Sequence, residues 1–232
     1  MMNKINKKIF GVVIIIVIII LAFVLIYFKR DKSLDVITKT PQGLFLEVNL
    51  SEEARINFEE RRNTNLEELE LFPNNYNAYL DLGNIERELG NASLSIDYFK
   101  KASEIIPANS TSWLNIGNVY YRLAMYDESI ESFEVARTKA PDYYLVYFNL
   151  AKVYKAQDSS NTQRVMDIFE EGVEKTNNDY KIIYFYASYL REIGNYQKAL
   201  EYLELFTKFA PDQNMIDTVN LEIEEVKGIL GQ

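Results

Sequence analysis

Apolar positions fall into two regimes along this chain. From Ile9 to Phe28 they run without interruption, IFGVVIIIVIIILAFVLIYF, with no charged side chain. As a helix this stretch is about 30 Å long, the thickness of a bilayer core. Its β-branched content suits lipid, where the backbone must bond to itself, and Tyr27 and Phe28 stand where an interfacial aromatic belt would be. A cleaved signal peptide would have a shorter apolar run followed by a small-x-small cleavage site. Here the run ends in LIYFKRD, and an uncleaved transmembrane helix over 9–28 is predicted, behind a basic tail at 1–8. Residues 29–50 hold Pro41 and Gly43 and no helical period, so they read as a linker, with Leu44 to Leu50 extended and docked on the first helix after it. Ser51, followed by Glu52 and Glu53, is a helix N-cap with acids in the first turn. A charged helix is predicted from there to about Leu71, where Phe72-Pro73 ends it.

Beyond Pro73 the apolar pattern has a helical period and also repeats itself. Segments starting at Tyr76, Ser110, Tyr144 and Tyr180 are 34, 34, 36 and 34 residues long. Their fourth positions are Tyr79, Trp113, Tyr147 and Ile183, and their eighth are Gly83, Gly117, Ala151 and Ala187. Position 20 gives Ser95, Ser129 and Ala199; position 24 gives Phe99, Phe133 and Leu203. Position 32 gives Pro107, Pro141 and Pro211. The third segment fits once two extra residues are allowed near Asp158-Ser159-Ser160, which brings Val165, Phe169 and Gly172 into register and puts Asn177 in place of the proline. Small residues at positions 8 and 20 let two helices, A and B, approach closely. Bulky residues fill the space around them, and the proline turns the chain into the next unit.

This pattern resembles the tetratricopeptide-repeat family. The second unit, Trp113-Leu114-Asn115-Ile116-Gly117-Asn118-Val119-Tyr120, carries the resemblance most clearly. Glu86 at position 11, Phe206 at position 27 and the loose third unit depart from it. The resemblance implies an all-α, right-handed helical solenoid of four repeats, 76–109, 110–143, 144–179 and 180–213. Such stacks need polar ends. Residues 51–75 would supply an N-terminal capping helix and 214–232 a C-terminal one, with Met215, Val219, Ile223 and Val226 on its packed face.

In this family the A helices line a concave groove, with positions 2, 5, 6, 9, 12 and 13 facing inward. The resemblance places Asn84 and Asn118 (position 9) and Asn115 and Asn149 (position 6) there, as a ladder of amides able to pair with the backbone of an extended peptide. It also places Lys152, Lys155, Lys181 and Arg191 in the later half of the groove, suited to an acidic segment or a C-terminal carboxylate. Position 5 holds Leu80, Leu114, Phe148 and Tyr184. The chaperone-tail clamp of some members needs a lysine there, so that ligand is rejected.

Charge sharpens this picture. The net charge is −9, but residues 1–32 hold six bases and one acid, leaving 19 bases and 33 acids in the rest. An acidic body disfavours nucleic acid, while the basic end suits anionic headgroups. A short basic tail stays in the cytoplasm, which puts the solenoid on the extracytoplasmic side of a bacterial inner membrane. The Ile-, Asn- and Lys-rich composition fits a bacterium, and no glycan is expected at Asn49, Asn91 or Asn109 despite their triplets. With no cysteine and no histidine, thiol nucleophiles, Cys/His metal sites and histidine acid–base chemistry are excluded. No phosphate-binding loop, dinucleotide fingerprint or nucleophile elbow is present. The expectation is a non-catalytic adaptor without cofactor, metal or small-molecule substrate. It would bind proteins or extended peptides near the membrane. The alternative is a chaperone-like holdase using position 5 as an apolar stripe.

Overall fold

The computed structural model describes residues 43–232, so the predicted span over 9–28 and the basic tail before it lie outside the described residues. Among the described residues there are ten helices and no strand, and no helix is long and apolar enough to cross a membrane. Helix α1 spans Glu52–Leu71. Four antiparallel pairs follow: α2 (Tyr76–Glu88) with α3 (Ala92–Ile105), α4 (Thr111–Arg122) with α5 (Tyr126–Lys139), α6 (Tyr144–Gln157) with α7 (Thr162–Lys175), and α8 (Tyr180–Glu192) with α9 (Tyr196–Phe209). Helix α10, Gln213–Leu230, packs on α9. Each pair is one repeat, with α2, α4, α6 and α8 as A helices, and each B helix packs on the next A helix. The result is a tetratricopeptide-like helical solenoid.

Side-chain caps set several boundaries. Ser51 Oγ accepts from the Ala54 N–H, Asn75 Oδ1 from those of Asn77 and Ala78, and Asp212 Oδ1 from Met215. Each satisfies an N–H that the first helical turn leaves unpaired. The close A–B approach is visible at position 8. A Cβ on Gly83 would lie 2.5 Å from Phe99 Cε1, and one on Gly117 2.5 Å from Phe133 Cε1. The serines at position 20 do more than stay small. Ser95 Oγ donates to the Gly83 carbonyl at 2.6 Å and Ser129 Oγ to the Gly117 carbonyl at 2.8 Å, so the first two A–B pairs are hydrogen-bonded at their tightest points.

The third repeat carries its two extra residues in the α6–α7 turn around Asp158–Asn161. Its B helix approaches the following A helix less closely than the earlier B helices approach theirs. A polar node spans this join. Glu170 of α7 accepts from Tyr186 Oη of α8 at 2.7 Å and from Lys198 Nζ of α9. The lysine's hydrogen bond, with the tyrosine's, holds the Glu170 carboxyl below the usual carboxylate range.

The departure at position 11 has its own solution. Glu86 is fully buried where later repeats carry Tyr120, Tyr154 and Leu190. It accepts from Asn91 Nδ2 at 2.7 Å, and Arg62 of α1 reaches its other carboxylate oxygen at 3.7 Å. Burial, with the Glu86 charge adding to it, pushes the neighbouring Tyr98 phenol up to about 12. Helix α1 buries no residue of its own. It is held by polar contacts: Arg62 on Glu86, and Arg61 and Asn65 on Asp81 at 2.6 and 2.8 Å.

At the far end, Val219, Ile223 and Val226 of α10 are buried, whereas Met215 in its first turn is exposed. Counted from Asn214 as the start of a fifth unit, the positions that would meet a partner B helix are Asp217, Asn220, Leu221 and Glu224, all exposed. Three of the four are polar, which stops the stack.

The segment 44–50 is extended, but it does not dock on α1. Leu46 N–H donates to the Gly90 carbonyl at 2.8 Å, in the turn between α2 and α3.

Candidate functional site on the A-helix face

Neighbouring A helices touch through residues at repeat positions 1, 2, 5, 6, 9, 12 and 13, because the 34-residue register brings those positions of successive units side by side. Phe148 of α6 lies 4.2 Å, centroid to centroid, from Phe185 of α8. Lys152 Nζ of α6 sits 4.1 Å above the Tyr121 ring of α4, and Lys181 Nζ of α8 sits 4.7 Å from the Tyr144 ring of α6. These are cation–π contacts in which the ring faces hold an ammonium without neutralising it. Lys152 is exposed as a whole, yet burial of its ammonium lowers its pKa.

The eight residues selected from the sequence divide by what holds them. Asn84, Asn115 and Asn118 are partly buried and Asn149 is buried at 8% exposure. None of the four amides makes a hydrogen bond to protein among the described residues, although Asn65, Asn75, Asn91 and Asn161 elsewhere all do. Lys152 and Lys181 have rings beneath them and no carboxylate partner among the described residues.

The other two cations of the later half are paired with carboxylates. Lys155 Nζ pairs with Glu192 Oε2 at 2.5 Å. Arg191 pairs through Nη1 with Glu222 and through Nη2 with Glu225 at 3.0 Å. Both acids on Arg191 come from α10, so the capping helix neutralises the last cation of the face. It also engages Tyr184, whose hydroxyl donates to Glu222 at 2.9 Å; burial, and then this hydrogen bond, raise the Tyr184 pKa. At the other end, Arg61 and Asn65 of α1 close off Asp81.

Position 5 is covered unevenly: Leu80, Phe148 and Tyr184 are half-buried. Leu114 is buried at 7% exposure, Phe148 packs on Phe185, and Tyr184 is bound to Glu222.

Tyr121 stands at inward position 12, whereas Tyr144 at position 1 is outside the inward set; both rings carry the open lysines. The signal was present as a basic residue at position 9 or 2 of one unit with an aromatic at position 12 or 1 of the unit before. Reading it needs the A helices to be adjacent, which spacing within one unit does not state.

Comparison with known proteins agrees on the repeat. The sequence model described as "Tetratricopeptide repeat" matches residues 76–109, 110–136 and 180–213; the irregular third unit is not matched. Among solved structures, MamA is similar at a TM-score of 0.52 and 15% identity, over 71% of this chain and 96% of that chain. MamA 41-end from Desulfovibrio magneticus RS-1 is similar at 0.52 and 15%, over 67% and 88%. The pilF protein of Pseudomonas aeruginosa is similar at 0.53 and 19%, over 74% and 85%. At these identities the likeness is one of fold. No curated protein matches the sequence.

Proposed function

The repeats of this chain belong to the tetratricopeptide-repeat family, whose members typically mediate protein–protein interactions, and on that premise we propose that the chain is a non-catalytic, membrane-tethered adaptor. Its ligand is an extended protein segment bearing acidic groups, taken up on the A-helix face between α2 and α8. One observation carries this reading: four amides without protein hydrogen bonds share the face with the two lysines that have no acidic partner. The Asn149 amide is not among the solvent-sealed polar atoms, so it stays reachable, and a peptide backbone supplies both a donor and an acceptor for it. Lys152 and Lys181 then select acidic side chains or a terminal carboxylate. Their ammonium groups are already positioned over rings, so less freedom is lost on binding.

The apolar run at 9–28 would hold the solenoid at a bacterial inner membrane, on the extracytoplasmic side, where envelope complexes assemble. Tethering raises local concentration, so modest groove affinity suffices. The absence of histidine and cysteine from the sequence, with a face made of amides, rings and lysines, supports binding over catalysis.

The test uses labelled extended nonapeptides of acidic, neutral and basic composition, titrated against the full chain in detergent. The acidic peptide should bind most tightly, and Asn115→Ala with Asn149→Ala should weaken it about tenfold. Lys152→Ala with Lys181→Ala should weaken it and flatten its salt dependence. Equal binding of all three peptides, unaffected by the substitutions, would remove this face as the site. Protease accessibility on spheroplasts, with the outer membrane opened and the inner membrane intact, reads the topology; a solenoid cut only after the inner membrane is lysed would overturn the extracytoplasmic placement.

A further inference from the structure

The extended segment ahead of α1 is bound as a peptide would be. Its residues alternate: Leu44, Leu46, Val48 and Leu50 are covered, while Phe45, Glu47 and Asn49 are exposed, the period of an extended chain. Leu46 N–H donates to the Gly90 carbonyl at 2.8 Å, and Ser93 N–H donates to the Leu44 carbonyl at 3.3 Å. The Leu44 N–H donates in turn to Ser93 Oγ at 3.0 Å. Leu46 joins a buried cluster with Ala92, Ile96 and Phe99 of α3 and Ile116 and Val119 of α4. The notch is therefore rimmed by the α2–α3 turn and floored by two successive repeats.

The turn is fitted to this occupant. Gly90 and Gly194 hold the same position in their repeats and both have positive φ, 91° and 75°. A Cβ on Gly194 would meet nothing within 4 Å, whereas one on Gly90 would lie 2.9 Å from the Leu46 carbonyl oxygen and 3.3 Å from Val48 Cγ2. Positive φ explains both glycines; close approach of a second strand of chain is specific to Gly90. Ser93, whose hydroxyl holds Leu44, is replaced by Asp127 and Gln197 in the second and fourth repeats. The notch belongs to the first repeat and is not a general property of the fold.

We propose that this notch is a second binding site, separate from the A-helix face, for an extended segment with apolar side chains at alternate positions, and that residues 44–48 fill it as a displaceable ligand in cis. The occupant in trans is a partner protein's segment with the same Leu-x-Leu-x-Val spacing. Main-chain hydrogen bonds hold it, and one leucine pocket selects it, as in recognition by strand addition. The cis occupant is weakly anchored. Leu46 is its one buried side chain, with Leu44 and Val48 packed partly buried beside it; Phe45 is 71% exposed, and three hydrogen bonds between described residues fasten it. Burial of one leucine, partial burial of Leu44 and Val48 and a few hydrogen bonds are comparable in size to the entropy lost on ordering such a segment.

The full chain in detergent is titrated with a fluorescein-labelled peptide of residues 43–50. The unaltered chain, whose own segment competes at high local concentration, should give no saturable anisotropy change. Leu46→Asp places a carboxylate where the pocket is apolar, freeing the notch, and that chain should bind the peptide saturably. Adding Ser93→Ala should weaken the binding about fivefold, the loss of one hydrogen bond. No binding by the Leu46→Asp chain with its helical signal intact, or equal binding by both chains, overturns the proposal. Hydrogen exchange on the unaltered chain gives an independent reading. The Leu46 amide should exchange at least about 100-fold faster than the core amides of α3, reporting local release. Exchange in step with α3 would make the segment a permanent part of the fold and end the proposal.

Discussion

A methyl group added at Gly117 would meet the Phe133 ring, which is itself 1% exposed and has nowhere to retreat. Gly117→Ala should therefore lower stability by about 1–2 kcal/mol, since overpacking outweighs the gain in helix propensity. Gly228 in α10 is the control, because a Cβ there meets nothing within 4 Å. Gly228→Ala should raise stability by up to about 1 kcal/mol. Thermal melts followed by circular dichroism read both, at about 2–4 °C per kcal/mol for a domain of this size; a stabilising Gly117→Ala would contradict the packing described. Residue type alone pointed to closeness at position 8, because only glycine or alanine stands there in the four units. The hydrogen bonds from Ser95 and Ser129 to the facing glycine carbonyls were not legible, since smallness and donation look alike in a sequence.

Helix α1 poses a different question, because it buries no side chain and still packs on α2. Its hold on the repeat rests on charge, and the Arg62–Glu86 pair is where that matters most, since Glu86 is fully buried. Removing one partner of a buried pair leaves an uncompensated charge, whereas replacing both is often neutral. Arg62→Met should cost about 2–3 kcal/mol, reduced from a fully buried pair by the partial exposure of Arg62 and the 3.7 Å separation. Adding Glu86→Met should recover most of the loss. A double-mutant cycle by urea denaturation measures this, and additive losses would mean that the two residues do not act as a pair. The same element-level logic explains the A-helix face. Lys155 and Arg191 looked equivalent to Lys152 and Lys181 along the chain, but Glu192, Glu222 and Glu225 arrive from other helices and single out two of the four.

Across the whole described solenoid, two buried clusters share one side chain. The first gathers Leu46, α3 and part of α4; the second runs from Leu114 to Val226. Trp113, the single tryptophan, packs partly buried against both. In a nearest-neighbour stack, cooperativity depends on such junctions. Trp113→Ala should cost about 2–3 kcal/mol, less than for a fully buried ring, and should broaden the urea transition into two steps seen by circular dichroism. A single transition of unchanged slope would show that the clusters are coupled by other contacts.

The sequence alone determined the repeat, its 34-residue period, the slip in the third unit and the exclusion of cysteine and histidine chemistry. These follow from residue type and spacing, and helix periodicity and steric size are local properties. Tertiary structure decided which cations are neutralised, which tyrosines carry the open lysines, and that Leu114 alone of position 5 is buried. It also decided that the segment before α1 lies against the Gly90 turn. Each of those depends on which side chains from distant parts of the chain meet, and that is set only when the helices stack.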